Sequence, residues 1–385
     1  MEYFFTDEQK MIVGLARKLA VEKIKPVREH YEENEEFPWP IVEEIARAGL
    51  CGVYIPQEYG GFGGGIFELC LVVEELSKVD GAISLALAAT AMGTFPIFLS
   101  GNEQQKKRFL PDIASGKNLA AFAITEPNAG SDAGAIQTTA KKEGEHYILN
   151  GTKCFITNAG EANVYTVIAM TDKSKGSRGA SAFILEKGMD GFSFGKKEKK
   201  MGIRASATGE LIFNNCKVPK ENLLAKEGMG FIVAMKTFDV SRPGVAAQAL
   251  GIASGALEDA IEYSRQRIQF GHPISSQQAV QHMLADMATQ VEAARSLVYA
   301  TAKTISANPA GRFTKESAMS KLFASEIAMK VTTDAVQVAG GYGYMREYPF
   351  EKRMRDAKIT QIYEGTSQIQ RNEIALALIK ESLRK

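Results

Sequence analysis

The stretch Tyr147-Ile148-Leu149-Asn150-Gly151-Thr152-Lys153-Cys154-Phe155-Ile156 decides the predicted fold, because it interrupts a chain with otherwise helical patterns. Its two short apolar runs flank Asn150-Gly151, a pair that readily supplies the positive φ angles of a tight turn. The stretch therefore predicts a β-hairpin. Further strand candidates, separated by Gly, Asp, Asn and Lys, follow at 164–170, 180–185 and 210–213. Together they predict a small antiparallel, barrel-like β domain over residues 121–226.

The chain before this β region is predicted to be an α-helical domain, residues 1–120. Thr6, Glu8 and Gln9 resemble a helix start, and apolar residues with helical spacing follow them. Prolines and the glycines of residues 60–65 break the pattern. A further helical pair is predicted at 66–78 and 81–99.

The chain after the β region is helical again. Leu284, Met287, Val291, Ala294 and Val298 recur at spacings of three and four, which places them on one helix face. Long alanine-rich helices of this kind predict a four-helix bundle over residues 227–385. The predicted fold class is therefore α+β and multidomain, in the order α, β, α.

Composition argues against several classes of function. The 385 residues carry 46 Lys and Arg against 45 Asp and Glu, whereas nucleic-acid binding needs a basic excess. The four cysteines form no CxxC pair and the four histidines show no ligand spacing, so neither disulfides nor a metal are expected. No apolar run is expected to reach the roughly 18 residues that are needed to span a membrane. The acidic N-terminus is unlike a signal or transit peptide, so we expect a cytoplasmic protein.

Glu364 is the candidate catalytic residue. It precedes Gly365, and Ser367 with Gln370 fits a capping box that predicts a helix from about Gln368. A helix N-terminus offers free N–H groups to phosphate oxygens, and glycine allows close backbone approach. A glutamate there is either a general base beside a phosphate-bearing ligand or a solvated carboxylate before a capped helix. The local sequence leaves both interpretations open.

Other candidate motifs are individually ambiguous. Neither a dinucleotide-binding glycine motif nor a P-loop occurs. The turn at 125–131 offers hydroxyls, and Phe155 with Thr157 ends a strand. Arg267 with Phe270 forms a basic-aromatic cluster that is equally typical of a solvated face.

The motifs in their joint order closely resemble the acyl-CoA dehydrogenase family of flavoproteins. The resemblance covers the whole chain, from Phe5 to Arg371. The matching segments are Pro56-Gln57-Glu58-Tyr59-Gly60-Gly61, Thr125-Glu126-Pro127 with Ala129-Gly130-Ser131-Asp132, Leu149-Asn150-Gly151-Thr152-Lys153 leading to Ile156-Thr157-Asn158, Lys200-Met201-Gly202, Arg267 with Phe270-Gly271, Gly340-Gly341-Tyr342-Gly343 and Met354-Arg355-Asp356-Ala357-Lys358.

The resemblance implies FAD as cofactor, bound between the middle and C-terminal domains and touching a neighbouring subunit of a homotetramer, a pair of dimers. Matching positions place a first set of residues around the flavin: Phe122, Thr125, Ser131, Phe155, Thr157, Thr366 and Gln368. A second set would reach FAD across the dimer interface or at its adenosine side: Arg267, Phe270, Gln278, Gln337, Gly340 and Gly341. The residues expected to contact acyl-CoA are Ser131, Asp239, Arg242 and Gly365.

The resemblance also assigns the chemistry. Glu364 would remove the α-proton of an acyl-CoA thioester, flavin N5 would take the β-hydride, and an electron-transfer flavoprotein would accept the electrons. Some members keep the base at the position of Ser241, and a serine cannot serve there. The alanine-rich segment 85–92 would form the pocket floor and suit a short, medium-chain or cyclic acyl group, although close helix packing explains it equally well.

Three alternatives remain open at this stage. The same scaffold could work physiologically as an enoyl-CoA reductase, or bind flavin and acyl-CoA without turnover. An acyl-CoA oxidase is the third, although those chains are generally much longer.

Overall fold

The computed structural model of the protein describes residues 3–309 and 311–383. Its N-terminal part is helical, as predicted. Thr6 caps the first helix, where its side chain and that of Gln9 form a reciprocal capping box. The helices of this part are α1 (Asp7–Leu19), α2 (Arg28–Asn34), α3 (Trp39–Arg47), α4 (Ile66–Val79), α5 (Gly81–Ser100) and α6 (Glu103–Ala114).

Helix α5 is a core helix of the protein. Asp80 caps it, accepting hydrogen bonds from the N–H groups of Ala82 and Ile83 at 2.9 Å each. By length and composition alone α5 qualifies as a membrane span, and 78% of its most apolar window is buried inside the protein. The expectation that no apolar run reaches that length was therefore wrong, because a helix buried on all sides has the same composition as a span.

The middle part is a β-sheet built from β1 (Ala120–Ala123), β2 (Thr139–Glu143), β3 (His146–Thr157), β4 (Val164–Met170), β5 (Ala180–Glu186), β6 (Phe192–Lys197), β7 (Thr208–Pro219) and β8 (Leu223–Leu224). The strand order is β6-β7-β3-β2-β4-β5-β8, with β1 also paired to β4. Both β1 and β2 run parallel to β4, so the sheet is mixed and the purely antiparallel prediction was wrong.

The predicted hairpin at Asn150-Gly151 was also wrong, because β3 runs straight through this pair. The ladder with β7 shifts register between Leu149 and Gly151, which is a β-bulge. Asn150 Oδ1 accepts the N–H of Asn215 on β7 at 2.8 Å, and a Cβ on Gly151 would lie 2.5 Å from Thr138 Oγ1. The Asn-Gly pair therefore forms a bulge in β3 and allows close packing against Thr138, and the chain does not reverse direction there.

The C-terminal part is helical, and its long helices pack around one another as predicted for a bundle. The buried face of α8 includes Met287, Val291, Ala294 and Val298, which confirms the helix-face prediction. The elements are α7 (Gly230–Gln266), the short strands β9 (Ile268–Gln269) and β10 (His272–Pro273), α8 (Gln278–Ala307), α9 (Thr314–Ala339), α10 (Phe350–Ile359) and α11 (Ser367–Ser382).

A buried ionic cluster joins all three parts of the chain. Lys352 on α10 pairs with Asp80 at 2.9 Å and with Asp356 at 2.5 Å. Asp356 also accepts the N–H of Ile203, from the segment between β6 and β7, at 2.6 Å. The predicted domain boundaries stay predictions; that at 120/121 falls within β1, and that at 226/227 falls between β8 and α7.

Candidate active site

Glu364 lies in a left-handed turn between α10 and α11. Its φ is +50°, and that of Gly365 is +93°. A non-glycine residue in this region is uncommon and costs free energy, so it persists where surrounding contacts hold it. The left-handed backbone favours glycine here, and a Cβ on Gly365 would lie 2.7 Å from Gln370 Nε2, so a side chain would displace the Gln370 amide from the turn.

Helix α11 begins at Ser367, and Thr366 is its N-cap. The Thr366 hydroxyl oxygen accepts the N–H of Ile369 at 3.2 Å. The predicted capping box of Ser367 and Gln370 was therefore wrong. The reason is that the Gln370 side chain points back into the turn, where Nε2 donates to the carbonyl oxygens of Glu364 at 3.1 Å and Gly365 at 2.9 Å.

Glu364 is half-buried as a residue, and its carboxylate has a close hydroxyl partner. Ser241 Oγ, on α7, donates to Glu364 Oε2 at 2.5 Å. Burial raises the pKa of Glu364, while the Ser241 hydrogen bond and the charges of Arg242 and Lys321 oppose that rise. Glu364 and Ser241 occupy the two positions at which members of the resembling family keep a base, and the two side chains are in contact. Of the two, Glu364 carries the carboxyl group.

Asp239 and Arg242 lie on the same stretch of α7 and are both buried. Thr314 Oγ1 donates to Asp239 Oδ2 at 3.0 Å, and burial raises the pKa of Asp239. The Arg242 guanidinium lies over the ring of Phe238, 5.6 Å from its centroid, and Nε is 3.5 Å from the carbonyl oxygen of Glu364. The structure therefore brings Arg242 to Glu364, and places Asp239 about one helical turn from Arg242 on α7.

Lys321 on α9 is a site residue that the sequence analysis missed. Lys321 is fully buried, and Nζ donates to the carbonyl oxygen of Gly365 at 2.8 Å. Burial lowers the pKa of Lys321 to about 7. The available signal was its position three residues after Ala318 and seven before Ala328, which places a lysine on a buried helix face.

The predicted flavin contacts of the middle domain lie on two neighbouring segments. Phe122 on β1 packs edge-to-face against Phe238, with ring centroids 5.8 Å apart, and Thr125 follows β1. Phe155 and Thr157 end β3, where the carbonyl of Thr125 accepts the N–H of Cys154 at 3.0 Å. Phe155 has a φ of +57° and an exposed fraction of 63%, so an aromatic ring is presented at the surface.

A buried ion pair, which the sequence analysis also missed, fastens these two segments together. Lys153 Nζ donates to Glu126 Oε1 at 2.7 Å and to the carbonyl of Ile124 at 2.9 Å. Glu126 also accepts the N–H groups of Gln137 at 2.6 Å and Thr138 at 2.9 Å. Ser131, in the loop that Glu126 begins, is exposed.

The second predicted set of cofactor residues gathers at the far end of α7. A groove of about 520 Å³ is lined by Arg267, Gly340 and Gly341, among others, and the Arg267 guanidinium lies 5.2 Å from the ring centroid of Tyr342. Phe270 sits in the turn between β9 and β10 and is 92% exposed. Gln278 begins α8, Gln337 lies in the last turn of α9, and both are exposed.

The two sets are far apart in one chain. Ser241 and Arg267 are separated by 26 residues of α7, which is about 39 Å at 1.5 Å per residue. Of the remaining predicted residues, Thr366 faces the base turn as a helix cap and Gln368 is exposed. The chain thus holds Glu364 and its contacts against the N-terminal half of α7, and an open basic groove at the C-terminal end of that helix.

The residues of both sets fit a flavin dinucleotide. The exposed ring of Phe155 and the hydroxyl of Thr157 offer a flat apolar surface with a polar edge. At the groove, a guanidinium suits a pyrophosphate, and Cβ positions on Gly340 and Gly341 would meet open space, so the backbone there is accessible.

Family models match nearly the whole chain in three consecutive pieces. They are the acyl-CoA dehydrogenase N-terminal domain over residues 6–117, middle domain over 121–216 and C-terminal domain over 228–379. The chain therefore belongs to the acyl-CoA dehydrogenase family. Members of this family are FAD-dependent oxidoreductases, which confirms the predicted enzyme class and cofactor.

Individual relatives are similar over almost their full length. The short-chain-specific acyl-CoA dehydrogenase of Clostridium acetobutylicum is 47% identical, covering 96% of this chain and 98% of that protein. The acryloyl-CoA reductase (NADH) of Anaerotignum propionicum is 49% identical, covering 99% of this chain and 96% of that protein.

Solved structures agree with the fold. The butyryl-CoA dehydrogenase of Megasphaera elsdenii has a TM-score of 0.96 at 48% identity, with 98% of this chain and 100% of that chain covered. A chain from a study of the electron transferring flavoprotein of Acidaminococcus fermentans has a TM-score of 0.96 at 52% identity, with coverages of 98% and 99%. An acyl-CoA dehydrogenase complexed with FAD from Bacillus anthracis has a TM-score of 0.93 at 36% identity, with coverages of 99% and 69%.

Proposed function

We propose that the chain converts a short- or medium-chain acyl-CoA thioester to the 2-enoyl-CoA, with Glu364 as the general base. The observation that carries this proposal is the half-buried Glu364, whose carboxylate bonds to Ser241 and whose strained turn is held by contacts from α7, α9 and α11. The α-proton passes to Glu364, and a carbon–carbon double bond forms as the β-hydrogen leaves with its electron pair. Bound FAD supplies the acceptor for that hydride.

Glu364 has the properties that this step requires of a base. Burial raises its pKa from the ordinary value, which makes it a stronger proton acceptor. The Ser241 hydrogen bond and the charges of Arg242 and Lys321 oppose that rise, so they favour the ionised form, which is the form that accepts a proton. The backbone N–H of Glu364 is the proposed donor to the thioester oxygen, where negative charge develops as the α-proton leaves.

We propose that FAD lies against Phe122, Thr125, Ser131, Phe155 and Thr157, with the N-terminus of α11 contributing Thr366 and Gln368. The Lys153–Glu126 pair supports this assignment, because it fastens the loop of Thr125 to the strand of Phe155 and Thr157. The thioester passes Gly365. Ser131, Asp239 and Arg242 stay the predicted contacts of the CoA chain.

A second copy of the chain is proposed to complete the cofactor site. The residues at the far end of α7 lie about 39 Å from the base end, an interval longer than an extended FAD molecule. Arg267, Phe270 and Gln278 of one copy would therefore serve the cofactor of the other, with Gln337, Gly340 and Gly341 at its adenosine side. A homotetramer, a pair of such dimers, is supported by exposed apolar residues on and just after α11: Leu376, Leu378, Ile379 and Leu383.

Substrate and electron acceptor are proposed from the relatives. The short-chain-specific and butyryl-CoA dehydrogenases support a short acyl group. The chain from the electron transferring flavoprotein study supports such a flavoprotein as the acceptor. The likeness to an acryloyl-CoA reductase favours one second candidate, in which the same site runs in the direction of enoyl-CoA reduction.

Anaerobic titration of the FAD-loaded protein with acyl-CoAs of increasing chain length tests the proposal. We expect flavin bleaching with butyryl-CoA and its neighbours in length, and its loss in Glu364→Gln with FAD retained. Glu381→Gln, an exposed glutamate on α11, is the matched control and should bleach normally. The proposal is contradicted if Glu364→Gln bleaches at the rate of the unmodified protein. It is also contradicted if the unmodified protein bleaches with none of the acyl-CoAs.

A further inference from the structure

Lys321 is a buried cation near the proposed base, and the proposed mechanism gives it no step of its own. Its neighbours on the buried face of α9 are small, among them Ala318, Ala324 and Ala328. Burying an ammonium is unfavourable unless polar partners compensate, and an apolar side chain of similar length would fill the same space at less cost. The ammonium therefore provides something that packing alone does not.

Its partner is the backbone of the base turn. The carbonyl oxygen of Gly365 accepts from Lys321 Nζ at 2.8 Å and from Gln370 Nε2 at 2.9 Å. Gln370 Nε2 also donates to the carbonyl of Glu364 at 3.1 Å. Donors from α9 and α11 thus converge on two successive carbonyls, whose residues have φ values of +50° and +93°. Such a strained pair persists only where its surroundings hold it.

We propose that Lys321 is a positioning residue for the base, anchoring the Gly365 carbonyl and setting the charge around the Glu364 carboxylate. The inference rests on the proposed role of Glu364. It assigns two separable effects to one side chain: a hydrogen bond that fixes the turn, and a positive charge that favours the ionised carboxylate.

The charged groups around the base come from three helices. Arg242 and Asp239 lie on α7, Lys321 and Glu326 on α9, and Glu373 on α11. Of these, Arg242 and Lys321 oppose the rise that burial causes in the pKa of Glu364. Burial lowers the pKa of Lys321 to about 7, so its charge is present in the acid range, where a carboxylate titrates.

Three variants separate charge from hydrogen bonding. Lys321→Met removes both, Lys321→Gln removes the charge and keeps a donor, and Gln370→Met removes a neutral donor and keeps the charge. The readout is the rate of anaerobic flavin bleaching by butyryl-CoA as a function of pH, measured on the FAD-loaded fraction. Lys330→Gln is the matched control, because it removes an exposed charge from the same helix.

Loss of a neighbouring positive charge raises the pKa of Glu364, so both Lys321 variants should move the acid limb of the rate profile upward by about one pH unit. Lys321→Met should also slow bleaching about tenfold at the plateau, because the turn loses an anchor. Gln370→Met should slow the reaction with the limb unmoved, and Lys330→Gln should change neither.

If Lys321 has only a structural role, its substitutions should lower the yield of FAD-loaded protein and leave the acid limb of the pH–rate profile of the loaded fraction unmoved. That result overturns the inference. Lys321→Gln carries the test if Lys321→Met does not load FAD. The proposed function fails separately, through bleaching by Glu364→Gln. If the Lys321 variants leave the acid limb of the pH–rate profile unmoved and Glu364→Gln is inactive, the role of Lys321 is rejected and the proposed function stands.

Discussion

Two turns of this protein have similar left-handed φ values and differ in the contacts that support them. Glu364-Gly365 has φ values of +50° and +93°, and Phe270-Gly271 has +53° and +81°. The first is held by Ser241, Lys321 and Gln370, whereas the Phe270 side chain is 92% exposed in the second. Left-handed strain is thus common to both turns. They differ in support: contacts within the same chain hold the Glu364-Gly365 turn, and we assign the contact of Phe270 to the cofactor of a second copy.

The two glycines offer the sharpest test of this difference. Gly365→Ala should lower the bleaching rate about a hundredfold, because a Cβ would lie 2.7 Å from Gln370 Nε2 and displace the turn. Gly271→Ala meets open space and should cost only the left-handed strain, about 1–2 kcal/mol in the free energy of unfolding. Rapid-mixing kinetics and denaturant unfolding measure the two effects, and equal losses of rate would remove the distinction.

Shortening the base tests how rigid the buried turn is. Glu364→Asp keeps the charge and withdraws the carboxylate by one methylene, and a clamped backbone cannot follow it. We expect the bleaching rate to fall by about tenfold to a hundredfold with butyryl-CoA affinity little changed. A rate within twofold of the unmodified protein would mean that the turn moves, which contradicts its anchoring by Lys321 and Gln370.

Arg267→Lys probes the exposed side. A lysine keeps the charge but cannot form the paired hydrogen bonds of a guanidinium with a pyrophosphate, so FAD should bind about tenfold more weakly. The rate of the FAD-saturated protein should stay unchanged, because the base is remote. Equilibrium dialysis of FAD gives the affinity, Arg265→Lys serves as the neighbouring control, and a slower saturated rate would contradict the assignment.

Ser241→Ala is expected to have the smallest effect. The Ser241 hydroxyl stabilises the ionised form of Glu364, so its removal raises the pKa of the base. The acid limb should therefore move to higher pH, by about half a unit for one neutral hydrogen bond. The pH dependence of bleaching measures the shift, and a movement to lower pH would show that the hydroxyl favours the protonated acid.

Sequence patterns predicted the helices well, because their apolar spacing and caps are local properties. Thr6 with Gln9 and the buried face of α8 are examples. The same patterns gave wrong predictions where a residue that is typical of a local turn or cap instead contacts a residue elsewhere in the chain. Asn150 bonds to Asn215 on another strand, and Gln370 turns back to the carbonyls before its own helix.

The site was predicted in part for the same reason. Glu364 was predicted as the candidate base from its neighbours in sequence and from a family resemblance. Lys321 was missed because only the packing of α9 against the turn gives its ammonium a partner. The Lys153–Glu126 pair joins residues 27 positions apart and becomes visible only when β3 is placed beside the loop after β1.

Helix α7 carries the serine beside the base near one end and reaches the basic groove at the other. If each copy lends its groove to its neighbour, one dimer contains two composite centres, and each draws on both chains. Mixed dimers formed from a Glu364→Gln chain and a chain whose substitution at Arg267 abolishes FAD binding, a stronger defect than Arg267→Lys, would then hold one centre with both defects and one with neither. Two inactive parents would yield active hybrids, a complementation that subunits with self-contained centres cannot produce.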